Sequence, residues 1–168
     1  PIPMDSSATE PPSDVEMRLA KIALNSSLAR RAPRVGNPIA VTDSSLLRGM
    51  KIYRGNCAGC HGGVDRAPAP FGLGFYPPAP QLVAHPTQRS EAELFYLVRN
   101  GIRRTGMTAW SSVMNDDDIW HVVSFLHRID SLPPAVDSAW HTLQHDLARA
   151  DRSAHSTALD VLTRRWAP

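Results

Sequence analysis

Apolar residues recur at helical spacing in several stretches of the chain, and no stretch alternates convincingly at strand spacing. Residues 13 to 32 place Val15, Leu19, Ile22 and Ala23 on one helical face. Ser13 followed at the right distance by Glu16 supplies an N-cap, and Pro33 sets the end of the helix. A second helix is predicted from about Ser44 to Cys57, with Leu47, Met50 and Tyr53 or Arg54 stepping around it and Gly49 offering a place of close approach. A third, about Ser90 to Asn100, starts on a capping Ser with Glu91 and Glu93 in its first turn, presents Leu94, Leu97 and Val98, and stops at Gly101. A fourth, about Asn115 to Ile129, opens on Asp116, Asp117 and Asp118, whose charge suits a helix N-terminus, and presents Ile119, Val122, Val123 and Leu126.

Proline divides these elements into three parts. Residues 1–42 form an N-terminal arm with one helix and an extended linker through Pro38 to Thr42. Residues 43–131 hold the central domain, in which the segment Ala67 to Pro86 is too proline-dense for a helix or a central strand. Residues 132–168 follow Pro133-Pro134 as a C-terminal helical extension to about Arg165, with Trp140, Leu143, Leu147, Leu159 and Leu162 as apolar positions. The predicted class is all-α, and both arms are expected to pack over the core and enlarge a small interior.

Composition narrows the field. A chain of 168 residues with 42% hydrophobic and 20% charged residues has ordinary globular proportions. A formal charge of +2 gives no reason to expect nucleic acid as a partner. No apolar run reaches the length of about 18 to 20 residues that a spanning helix needs. Pro1 is an improbable translation start, so a leader or a membrane anchor upstream is expected.

The chemistry concentrates in Cys57-Ala58-Gly59-Cys60-His61, which uses both cysteines of the chain. The spacing sets two thiols where each can add to a haem vinyl group and brings the next imidazole to the iron from the same turn. A structural zinc site wants a second pair of ligands that the cysteines cannot give, and a thioredoxin-like pair wants a preceding strand. A plain disulfide leaves His61 unexplained. One covalent haem c, through Cys57 and Cys60 with His61 as an iron ligand, accounts for all three residues.

A haem held by His61 needs a sixth ligand or an open site. Met107 follows Gly106 on a loop between two helices, where glycines let the backbone turn toward the ring, and is the first choice; Met114 is the alternative. Trp110 is placed to donate its indole N–H to a propionate, and Arg103 or Arg104 to pair with the same group or with a redox partner. His85, His121, His127, His141, His145 and His155 show no ligand spacing and read as surface or satisfied core histidines.

At this point residues 43 to 131 resemble the small class I monohaem c-type cytochromes, in particular bacterial periplasmic relatives with an N-terminal membrane anchor. The resemblance rests on Gly49 and Tyr53 ahead of Cys57-Ala58-Gly59-Cys60-His61-Gly62, on Arg99-Asn100-Gly101-Ile102 followed by Gly106-Met107-Thr108-Ala109-Trp110, and on Asp118-Ile119-Trp120 leading to Val123, Phe125 and Leu126. Where many relatives carry Met-Pro-Ala, this chain has Met107-Thr108-Ala109. The resemblance implies about three main helices around one haem, with Gly49 and Tyr53 facing Trp120 to Phe125. It further implies that a proline carbonyl accepts the ring N–H of His61, with Pro68, Pro70, Pro77, Pro78 and Pro80 as candidates. Tyr53 and Leu82 count among the expected haem contacts, and Phe71, Phe75, Leu94 and Leu97 among the residues shielding the ring.

The function expected is electron transfer: a His/Met-ligated haem cycling between Fe(III) and Fe(II), not an enzyme, serving other redox proteins that dock transiently at the haem edge. The setting expected is the periplasm, in a monomer. Two further readings stay open. One is a haem enzyme or a gas or peroxide sensor with a displaceable Met107; the other is a cytochrome subunit of a larger oxidoreductase complex.

Overall fold

The computed structural model describes residues 7, 10, 12–64 and 68–142. All regular structure among them is helical. The elements are α1 (Asp14–Arg31), α2 (Asp43–Asn56), α3 (Ala58–His61), α4 (Pro70–Leu73), α5 (Glu91–Asn100), a short 3-10 turn (Trp110–Ser112) and α6 (Asp116–His127). Residues 134–142 continue as helix to the end of the described chain. The extension expected to reach Arg165, with Leu143, Leu147, Leu159, Leu162, His145 and His155, lies outside the described residues.

Local sequence fixes the helix starts. Ser13 accepts from the Glu16 amide while the Glu16 carboxylate accepts from the Ser13 amide at 2.8 Å, and Ser90 and Glu93 repeat the exchange at the head of α5. Thr42 and Ser45 do the same for α2, a cap the sequence reading did not single out. Asn115 accepts from the Asp118 amide at 2.8 Å at the head of α6. Such exchanges satisfy amides that the first turn leaves without partners.

The core forms where α2 crosses α6, the most extensive helix contact in the fold. Leu46, Met50 and Tyr53 of α2 and Ile119, Val122, Val123 and Phe125 of α6 are all buried. Each buried side chain of this size contributes about 1.5–3 kcal/mol. Gly49 makes the crossing close: a Cβ there would stand 2.1 Å from the His121 carbonyl oxygen and 3.0 Å from the Phe125 Cβ. The α5 helix adds Leu94, Phe95, Leu97 and Val98, with Phe95 stacked on Trp120 at 4.0 Å between ring centroids. Arg99 reaches Asp116 at 2.9 Å and Arg128 pairs with Glu91, which ties α5 to α6 at both ends.

The two arms behave differently. Residues 134–142 bury Val136 and Trp140 in the core, as expected of a covering element. By contrast, α1 buries only Leu28, and Val15, Leu19 and Ile22 stand 48%, 59% and 65% exposed. Its apolar stripe is present as predicted, but the core is already closed by α2, α5, α6 and residues 134–142, so among the described residues the stripe has nothing to cover. After α1 the chain is tied down by Asn37, whose amide donates to the Ser124 hydroxyl at 2.7 Å.

Candidate haem site

The chain end of α2 leads directly into the site. Cys57 ends α2, and its carbonyl accepts from the amides of Cys60 at 3.1 Å and His61 at 2.9 Å, so Cys57 to His61 forms one tight helical turn. Neither sulfur is in a disulfide, and both cysteines are half-buried. Burial, and secondarily the neighbouring Cys60, pushes the Cys57 thiol up to about 12, so it is an uncharged thiol at neutral pH.

Two groups brace this turn. The buried Tyr53 hydroxyl lies 2.8 Å from the Gly62 carbonyl oxygen and 3.3 Å from that of His61. Burial, with Cys57 second, holds the Tyr53 phenol well above its ordinary range, so it remains a donor. The α4 helix rests its backbone on the other side: a Cβ on Gly72 would lie 2.9 Å from the Cys60 Cα.

His61 Nδ1 lies 2.8 Å from the Pro80 carbonyl oxygen. A carbonyl only accepts, so Nδ1 carries the proton and the Nε2 lone pair is the one left to bind a metal. Of the five candidate prolines the structure selects Pro80, which spacing alone does not. The Leu82 amide donates to the His61 carbonyl at 3.2 Å and Gln81 Nε2 to the Cys60 carbonyl at 3.3 Å, so residues 80 to 82 hold the turn as a unit. The Leu82 side chain is half-buried against the core.

The loop carrying Met107 is a closed turn. The Ile102 amide donates to the Met107 carbonyl at 2.9 Å, and the Thr105 hydroxyl donates to the Ile102 carbonyl at 2.8 Å while accepting from the Met107 amide at 3.0 Å. Gly101 permits it: its φ is +67°, and a Cβ would stand 2.6 Å from the Met107 carbonyl oxygen. Met107, Trp110 and Met114 are all partly buried against the core, so packing alone does not rank the two methionines. Gly106 makes room for the Phe75 ring, which a Cβ there would meet at 2.5 Å. Phe71 lies edge-on to Phe75 at 5.8 Å and is 60% exposed.

Arg103 and Arg104 are exposed on the Met107 loop, and among the described residues neither makes an ion pair. The other described histidines are engaged or exposed: His121 Nδ1 donates to the Asp117 carbonyl at 2.7 Å, and His127 and His141 lie 4.0 and 3.6 Å from Glu91 and Asp137. Among the described residues no three His, Cys, Asp or Glu side chains gather as a metal site.

These residues fit a covalent haem. Two unpaired thiols and an imidazole sit on one braced turn, and the imidazole tautomer set by Pro80 leaves Nε2 free to ligate. Residues 44–126 match the family model described as cytochrome C oxidase, cbb3-type, subunit III. The fold, the Cys57-to-His61 turn and this match define a cytochrome c-family haem-binding domain, and the chain is an electron-transfer protein carrying haem c through Cys57 and Cys60. Within that class the domain is related to subunit III of the cbb3-type oxidases. The search of curated proteins finds no match.

Proposed function

We propose that this chain is the cytochrome subunit of a larger oxidoreductase complex, which it serves as a relay for single electrons on the periplasmic side of a membrane. The matched segment supports this reading, because residues 44–126 contain the whole site, from the Cys57 turn through Pro80 to Met107. When bound, the haem supplies one-electron exchange between Fe(III) and Fe(II). The protein's part is to hold ligands still so that little rearranges with each electron. His61, made more basic by donation to Pro80, would hold the iron through Nε2, and Met107, presented by the Thr105-closed turn, would supply the second ligand. No described helix is long and apolar enough to cross a membrane. Attachment to the complex therefore rests, in this reading, on protein contacts or on segments beyond those described.

Native gel electrophoresis of detergent-extracted membranes, stained for haem peroxidase activity, tests the proposal. Haem stain carrying this chain should migrate far above its 18.4 kDa mass, together with an oxygen-reducing activity that its antibody depletes. Haem stain found solely at the mass of the free chain would return the protein to the class of diffusing carriers.

A further inference from the structure

Trp140 lies outside the matched residues 44–126, on the helical residues 134–142, yet it is among the most deeply buried side chains. Its ring meets Tyr53 edge-on at 5.9 Å and Phe125 at 5.2 Å, and Tyr53 and Phe125 are 5.6 Å apart, so the three rings form a closed triangle. The Tyr53 ring therefore packs against two aromatic neighbours that touch each other, one from α6 and one from the C-terminal extension. Its hydroxyl, at the far end of that ring, is the group that reaches the carbonyls of Gly62 and His61.

We infer that Trp140 is a positioning residue for His61, acting through the Tyr53 hydroxyl on the carbonyls that end the Cys57-to-His61 turn. The inference rests on the reading of His61 as the iron ligand. A fully buried ring packed against two others has little room to rock, and its hydroxyl then keeps its distance and angle to a fixed acceptor. Truncating Trp140 opens space beside Tyr53 into which the ring relaxes. The hydroxyl then leaves the Gly62 carbonyl, which is buried and among the described residues accepts from no other donor, and the turn loses that brace. A segment beyond the haem domain thus sets how firmly the iron ligand is seated.

Hydrogen exchange at the His61 Nδ1–H, followed by NMR in the reduced, diamagnetic holoprotein, reads that seating directly. The haem-added mass of each denatured variant is measured first: a wild-type chain without it overturns the haem reading itself, whereas a loaded chain lets the positioning role be judged alone. Trp140→Ala should exchange the ring proton about tenfold faster than wild type, the factor for losing one ordinary hydrogen bond. The amides of Val122 and Val123 in α6 report global opening and should change less. Tyr53→Phe should give the same acceleration, adding Trp140→Ala to it should give no more, and Trp140→Phe should restore most of the wild-type rate. If Trp140→Ala does not fold, Trp140→Leu carries the same comparison. Equal acceleration at His61 and in α6, no acceleration at all, or effects of Tyr53 and Trp140 that add would each overturn the positioning role.

Discussion

Gly49 of α2 lies against the backbone of His121 in α6 so closely that a methyl group at position 49 would sit 2.1 Å from the His121 carbonyl oxygen. The obstacle is main chain and not the end of a flexible side chain, so relief requires the two helices to move apart. That movement would open the contacts of Met50, Tyr53 and Phe125. Gly49→Ala is expected to destabilise the protein by about 2–3 kcal/mol, at the upper end for overpacked sites. Denaturant unfolding followed by circular dichroism measures it, and a loss below about 0.5 kcal/mol, the range of neutral surface changes, would mean that the crossing is looser in solution.

Met107 and Met114 are both half-buried against the core, and the proposed ligand is the one on the Thr105-closed turn. In Met107→Ala the weak long-wavelength charge-transfer band of the oxidised protein should vanish, and the reduced protein should take up carbon monoxide readily. Met114→Ala should keep the band. The reverse pattern would transfer the ligand role to Met114.

The same turn makes two quieter sites matter. Gly101→Ala forces a residue with a Cβ into the positive-φ, extended-ψ backbone that essentially only glycine adopts, a strain of about 1–3 kcal/mol, and presses that Cβ against the Met107 carbonyl. Thr105→Val removes both hydroxyl bonds that close the loop, each worth about 0.5–1.5 kcal/mol. Both variants should keep their haem but show partial loss of the charge-transfer band on warming, at lower temperatures than wild type. Variable-temperature absorption distinguishes this from unfolding, which also abolishes far-ultraviolet dichroism. Coincident loss of both signals would leave the loop without the separate role argued for it.

What could be read in the sequence and what could not divide along a physical line. Helix ends at Ser13, Ser90 and Asn115 follow from side chains that reach only three residues ahead, and the haem-binding turn is equally local. The helical stripe of α1 was legible too, but a stripe states which face is apolar and not what covers it, and this one stays exposed. Pro80 was one of several equivalent prolines until the fold brought its carbonyl to His61. Trp140 was legible as an apolar position, while its place against Tyr53 depends on how the chain returns after Pro133-Pro134. The bond from Asn37 to Ser124 had no local signal of any kind.

Charge gives the last prediction. Residues 68–88 and 101–115, the two loops that frame the site, contain Arg103 and Arg104 as their only Asp, Glu, Lys or Arg, although the chain as a whole carries 16 acidic residues. Both arginines are exposed and among the described residues make no ion pair, so no described carboxylate of the protein cancels their charge. An anionic reagent approaching this face should be drawn in and a cationic one repelled, with an effect that fades as salt shortens the screening length to about 10 Å at 0.1 M. Stopped-flow oxidation of the reduced protein by ferricyanide should therefore slow with rising ionic strength, and Arg103→Glu with Arg104→Glu should reverse that slope. A cationic cobalt complex should show the opposite trends. Slopes that ignore the double substitution would place electron exit away from the Met107 loop, on a face whose charge is set by other residues.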